Sequence, residues 1–302
     1  MALEFDMRFD PRHGEAVEVA ENIVRVTAPN ASPFTFHGTN SYIIGSRELA
    51  VIDPGPPDDS HLSALLRAID GRPVSHIFVT HTHRDHSPLA KPLAEATGAR
   101  LLAEGPHRPA RPVNAGEDYR LDASNDVDFR PDRALADQEL VEGDGWALRA
   151  VLTPGHAANH AAFALEGTGI LFSGDHVMGW STTVVAPPDG AMADYMASLD
   201  RLLERDTDRL YLSGHGGAIE NPKTFVRGLK THRKMRERAI LERIVQGDRR
   251  IPDIVKAIYR DTDPRLFGAA GMSVLAHLED LAARGAIATD GPPAFDGEFR
   301  PG

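Results

Sequence analysis

The segment Thr80-His81-Thr82-His83-Arg84-Asp85-His86-Ser87 places three imidazoles and one acidic carboxylate within six residues. Neutral imidazole nitrogens and carboxylate oxygens are the ligand types that zinc-like cations take. An apolar run, His76–Thr80, precedes the segment, and a helix is expected to begin near Pro88. A loop at the C-terminal end of a strand can aim successive side chains in different directions, so one segment can feed two adjacent ions. Three more ligand-type residues repeat this context. His156 follows Thr153-Pro154-Gly155, Asp175 follows Phe172-Ser173-Gly174, and His215 follows Leu212-Ser213-Gly214. Each closes an apolar run beside glycine, where backbone can turn and a side chain can enter a cleft.

The elements that must carry these residues are short. Strands are expected over Asn22–Ala28, Tyr42–Ile44, Leu49–Ile52, His76–Thr80, Ala147–Leu152, Ala161–Leu165, Ile170–Phe172 and Leu210–Leu212, short apolar runs of which several are rich in Val and Ile and end at Pro, Gly or Asp. Helical spacing of apolar residues marks Asp59–Ile69, Leu89–Thr97 and Ala193–Glu204. This is α/β (α+β) material rather than a single-sheet pattern. The stretch Gly105–Asp137, rich in Pro, Arg, Asp and Ala, reads as a long loop or insertion near the site's rim.

Beyond Asn221 the texture changes. Phe225–Ile244 reads as a long basic helix, Ile254–Tyr259 and Met272–Arg284 as two more, and Ala286–Thr289 with Ala294–Phe299 as a hairpin around Gly291-Pro292-Pro293. Helices followed by two strands are the order of a small winged-helix module. The division expected is therefore a catalytic domain over 1–222 and a winged-helix-like domain over 223–302.

With 302 residues, 41% of them hydrophobic, the chain can bury a core of real size without staples. Cysteine is absent, which excludes disulfides, thiolate ligands and thiol nucleophiles. The first residues read as no signal peptide and no apolar stretch reaches bilayer length, so a cytoplasmic protein without membrane contact is expected. The formal net charge is -11, yet residues 223–250 hold ten Lys and Arg against three Asp and Glu. That run is either a solvated helix face or a surface for an anionic partner.

Taken together, His-x-His-x-Asp-His and the later Gly-His, Gly-Asp and Gly-His resemble the metallo-β-lactamase superfamily. The resemblance implies an αβ/βα sandwich. It implies a first ion on His81, His83 and His156, a second on Asp85, His86 and His215, and Asp175 bridging them. It also implies that Asp53, in Asp53-Pro54-Gly55, supports one of the ligands. Ala157 stands where the superfamily often has Thr. His160 is expected to face substrate, the other reading being a buried histidine at a strand start; His176 is left outside the ligand set. The tail, with Leu229–Arg238, Val255–Arg260 and Leu275–Leu278, is similar to that of the β-lactamase-like protein 2 group, which includes a metal-dependent endoribonuclease acting on single-stranded RNA.

The expected function is that of a metal-dependent hydrolase with two divalent cations, zinc foremost, and a metal-bridging hydroxide as nucleophile. Asp85 is expected to act as its general acid–base. The scissile bond is a phosphodiester in single-stranded RNA or a small ester or thioester. A glyoxalase-II-like thioesterase is the main alternative, and a DNA-binding regulator with a ligand-sensing metal domain is the alternative from another class. β-Lactam hydrolysis is not expected without a cysteine ligand. His83, where the diiron flavoprotein branch has Glu, points away from redox work. Homodimerisation is left open.

Overall fold

The computed structural model describes residues 3–114, 124–260 and 263–302. Two mixed sheets form its centre. The first runs in spatial order β1 (Val17–Ala20), β2 (Ile23–Thr27), β3 (Asn40–Ile44), β4 (Leu49–Ile52), β5 (Val74–Phe78), β6 (Arg100–Ala103) and β7 (Arg133–Ala134). The second runs β12 (Leu210–Ser213), β11 (Ile170–Gly174), β10 (Ala161–Leu165), β9 (Trp146–Leu152) and β8 (Leu140–Gly143).

Strand alternation explains the layering. Tyr42, Ile44, Ala50, Ile52 and Phe78 of the first sheet face Leu148, Ala150, Phe163, Phe172 and Leu212 of the second, and together they form the inner core. The intervening residues Ile43, Leu49, Val51 and Ile77 pack outward, in a core that also takes Ala64 and Leu65 of α1 (Asp59–Ile69) and Leu93 of α2 (Ala90–Thr97). Ala162, Leu171 and Tyr211 pack outward with Tyr195 and Leu199 of α3 (Met192–Glu204). A period of two within each strand thus makes four layers, the expected sandwich.

Direction places the site. β4, β5 and β6 are parallel neighbours, β11 and β12 are parallel, and β9 runs with β11 because each is antiparallel to β10. The loops bearing Asp53, His81, His156, Asp175 and His215 therefore leave at one rim. Cross-sheet bonds close that rim: Ala161 N donates to Thr80 O at 2.8 Å, Asn40 N to Gly214 O at 2.8 Å, and Tyr42 OH to Ser213 O at 2.7 Å.

The C-terminal part comprises α4 (Pro222–Val245), α5 (Ile251–Ile258), α6 (Phe267–Ala283) and the hairpin β13 (Ile287–Thr289)–β14 (Phe299–Pro301). It has a core of its own, with Ile240, Ile244, Ile254, Val274, Leu278 and Phe299. α4 serves both units. Val226 and Leu229 belong to the core around α3, while Ile240 and Ile244 belong to the C-terminal one. The packing thus passes from one core to the other within this helix.

The stretch 105–137 is less loop-like than its composition implies. It supplies β7, and Phe129 is buried in the outer core; residues 115–123 lie outside the described residues.

Candidate metal centre

The seven ligand-type side chains converge in two adjoining groups: His81, His83 and His156, then Asp85, His86, Asp175 and His215. Within each group the donor atoms all lie within 4.8 Å of one another. Gly214 shows why glycine precedes His215. A Cβ there would stand 2.4 Å from Asp175 Oδ1 and 2.7 Å from His86 Cε1. Gly155, before His156, has φ of +138° and would clash with the Tyr195 backbone at 2.3 Å.

The partners of the outward ring nitrogens fix the tautomers. Thr80 Oγ1 donates to Asp53 Oδ2 at 2.8 Å, so toward His81 Nδ1, 3.0 Å away, it can only accept. His83 Nε2 meets the Asp189 carboxylate at 2.8 Å, and His156 Nδ1 meets Val184 O at 2.7 Å. These three nitrogens must carry the protons. The inward nitrogens, His81 Nε2, His83 Nδ1 and His156 Nε2, are then bare lone pairs, yet His83 Nδ1 lies 2.8 Å from the first and 3.0 Å from the last. With all three rings neutral, three acceptors face one another without a donor, an arrangement that a cation among them, or a second proton on His83, relieves.

The second group repeats the logic. His86 Nδ1 faces Asp53 Oδ2 at 2.9 Å, and His215 Nδ1 faces Gly38 O at 3.2 Å, so both Nε2 atoms are turned inward. They meet carboxylate oxygens: His215 Nε2 is 3.1 Å from both Asp85 Oδ2 and Asp175 Oδ2, and His86 Nε2 is 3.4 and 3.5 Å from the same two. Asp175 Oδ2 also lies 3.8 Å from His156 Nε2, so it reaches both groups. His86 Nε2 and Asp175 Oδ1 are buried without a hydrogen-bond partner, which fits a donor set shaped for metal.

The electrostatics do not divide the groups cleanly: burial opposes charge on His83, but the Asp189 carboxylate outweighs it and raises that ring above the usual histidine range. Burial and the neighbouring imidazoles hold His81 well below the usual histidine range, and burial with His83 lowers His156 to about 4. Burial also opposes charge on His215, but the Asp175 and Asp85 carboxylates outweigh it and raise that ring to about 9. Without a cation the second group attracts protons that a metal would displace.

Asp53, implied as a support, is placed for that role: besides His86 it accepts the Thr80 N–H at 2.7 Å. His160 is a correction. It is fully buried, with Nδ1 bonded to Thr153 Oγ1 at 2.8 Å and Nε2 accepting the Asp175 N–H at 3.3 Å, so it holds the floor and does not face the cleft. His176 is buried too, its ring tilted against that of Tyr195, outside both groups. Asp189 was missed: the apolar Val184-Val185-Ala186 runs into Pro187-Pro188-Asp189-Gly190, and the double proline makes this read as an ordinary turn.

A cleft of about 500 Å³ opens over the groups. Asp85 and Asp175 reach it, as do Phe34, Met178, Val184, Ala186 and Met272, the last from the C-terminal unit; Arg84 is the single Lys or Arg in its lining among the described residues.

A family model described as the metallo-beta-lactamase superfamily matches residues 34–215. The chain belongs to that superfamily. A second model, the beta-lactamase associated winged helix domain, matches residues 251–292. A Drosophila melanogaster protein named beta-lactamase-like protein 2 homolog is 30% identical over 282 residues, covering 89% of this chain and 90% of its own. A beta-lactamase domain protein from Burkholderia ambifaria superposes with a TM-score of 0.78 at 23% identity, over 97% of this chain and 95% of that one. A metallo-beta-lactamase family protein from Thermus thermophilus gives 0.74 at 26% identity, over 94% and 100%. The metallo-beta-lactamase superfamily is a hydrolase family whose members usually bind divalent metal ions, and both donor groups lie within its matched segment. Among the described residues no helix is long and apolar enough to cross a membrane.

Proposed function

We propose that this superfamily member is a dinuclear metal-dependent hydrolase of a small ester or thioester whose acyl part is apolar. One ion, zinc foremost, would be held by His81, His83 and His156. The other would be held by Asp85, His86 and His215, with Asp175 between them. Two such cations, when bound, polarise the scissile carbonyl and lower the pKa of water.

The chain's own groups do the rest. Asp53, Asp189, Val184 O, Thr80 and Gly38 O each hold one ring nitrogen, so the inward lone pairs are oriented before substrate arrives. Asp85, with its side chain 24% exposed, is the most open of the acidic ligand-type residues. Burial opposes its charge, but the His86 and His215 rings dominate, so it stays a carboxylate. Its Oδ2 faces the His215 and His86 rings and the Thr39 hydroxyl. Its Oδ1 is the atom assigned to take a proton and return it to the leaving group.

The observation that carries the choice of substrate is the cleft's apolar wall with a single guanidinium, Arg84. A single-stranded RNA track needs rows of free cations and stacking platforms. The basic run over 223–250, most of it α4, offers few: Arg227, Lys234 and Arg249 are exposed, and the other seven are engaged. Lys223, Lys230, Arg238, Arg243 and Arg250 are paired with Asp206, Asp200, Glu242, Asp248 and Glu298, while Arg233 and Arg236 donate to backbone carbonyls. The same helix packs on the catalytic unit, which disfavours a DNA-reading role for the tail.

Parallel assays of zinc-loaded protein on acyl thioesters, single-stranded RNA and a β-lactam test this. Turnover confined to acyl substrates supports it. Cleavage of RNA with inert thioesters sinks it.

A further inference from the structure

Met272 lies on α6, far along the chain from every ligand-type residue, yet its side chain lines the cleft beside Met178 and Val184. The C-terminal unit is not loosely appended at this point. Ala276, one turn further along α6, packs into the core around α3, and the buried Arg233 of α4 donates to Thr183 O, next to Val184. α4 thus tethers the loop that forms the neighbouring wall, and α6 packs on the core beneath it. Phe34, which also lines the cleft, is 54% exposed. An exposed phenyl ring and the half-buried thioether of Met272 on a concave surface are unfavourable in water and become favourable once an apolar group covers them.

We infer that the C-terminal unit completes the substrate pocket, and that Met272 is a specificity-determining residue that sets the size of the acyl group accepted. The inference rests on the acyl-hydrolase reading above. A methionine suits such a wall because its unbranched thioether adapts to the chain laid against it. It also gives the tail a role at the site that requires no nucleic acid.

The experiment uses full-length, zinc-loaded protein and a series of acyl-N-acetylcysteamine thioesters from acetyl to decanoyl. Met272→Ala deepens the pocket; M272W and M272F fill it, and having both guards against one failing to fold. The expected result is a change of about tenfold in the decanoyl-to-acetyl ratio of kcat/KM, upward in M272A and downward in the aromatic variants, at unchanged metal content. Ratios equal to wild type in folded, metal-loaded variants overturn the role of Met272 and leave the acyl-hydrolase reading standing. A wild-type protein that hydrolyses none of the thioesters overturns that reading, and the inference falls with it.

Discussion

Asp189 Oδ2 stands 2.8 Å from His83 Nε2, on the side of the ring opposite the nitrogen that faces His81 and His156. The carboxylate therefore fixes which nitrogen of His83 is bare, and it lines the cleft while doing so.

Asp189→Ala should lower zinc affinity about 10–100-fold, the usual loss when a carboxylate behind a histidine ligand is removed. Competition against a coloured chelator measures it. Affinity equal to wild type would show that His83 needs no such partner.

Asp53 bears on the fold as well as the site. Its carboxylate accepts from Thr80 N and Thr80 Oγ1 and meets His86 Nδ1, all buried. Asp53→Ala leaves these donors without an acceptor and should destabilise the metal-free protein by roughly 3 kcal/mol. Urea unfolding with an unchanged midpoint would contradict this.

Arg233 links the C-terminal unit to the site. It is 3% exposed, lies over the Tyr195 ring at 5.2 Å, and donates to Thr183 O; Thr183 Oγ1 in turn donates to Asp175 O at 2.6 Å. Arg233→Met removes a buried charge as well as a tether, so thermal stability should change little while kcat/KM falls by up to ~100-fold through misplacement of the 183–184 loop. A large loss of melting temperature at full residual activity would assign it a purely structural role.

The C-terminal core should be sensitive to acid. His277 is buried with neither ring nitrogen bonded; burial, then Arg233, His232, Arg284 and Arg236, lowers it to about 3. The folded state thus binds the proton less readily than the unfolded chain near 6.5. The stability is fully present above that value and is lost as pH falls from 6.5 toward 3, by about 1.4 kcal/mol per pH unit. His277→Leu should flatten this dependence, as read by melting temperatures of metal-free protein at about pH 7 and pH 5. Parallel slopes for the two proteins would refute it.

Much of the site was legible because its ligand-type residues sit at strand ends next to glycine, a local signature that survives without coordinates. His160 lies at a strand start and was misplaced, since strand direction alone does not tell a ring aimed into a cleft from one aimed beneath it. Asp189, Arg233 and Met272 were hidden for another reason: each acts through a contact distant in the chain, and their local contexts are a Pro-Pro turn, a basic helix and an apolar helix. In the fold, most inner strands announced themselves by apolar content; β6 did not, although three of its four residues are buried. β1 is an edge strand without a fully buried residue, β7 has two exposed residues and β8 one buried, so none carries an apolar run. α6 begins five residues before the expected Met272, because Gly268 and Gly271 mask its first turns.

The central claim is that two cations share these seven side chains. Zinc saturation of metal-free protein, followed by elemental analysis and anomalous diffraction, measures it directly. The account predicts two ions per chain, roughly 3.5–4 Å apart, one among His81, His83 and His156 and the other among Asp85, His86 and His215. A single ion at saturation, or ions bound away from these residues, would contradict it.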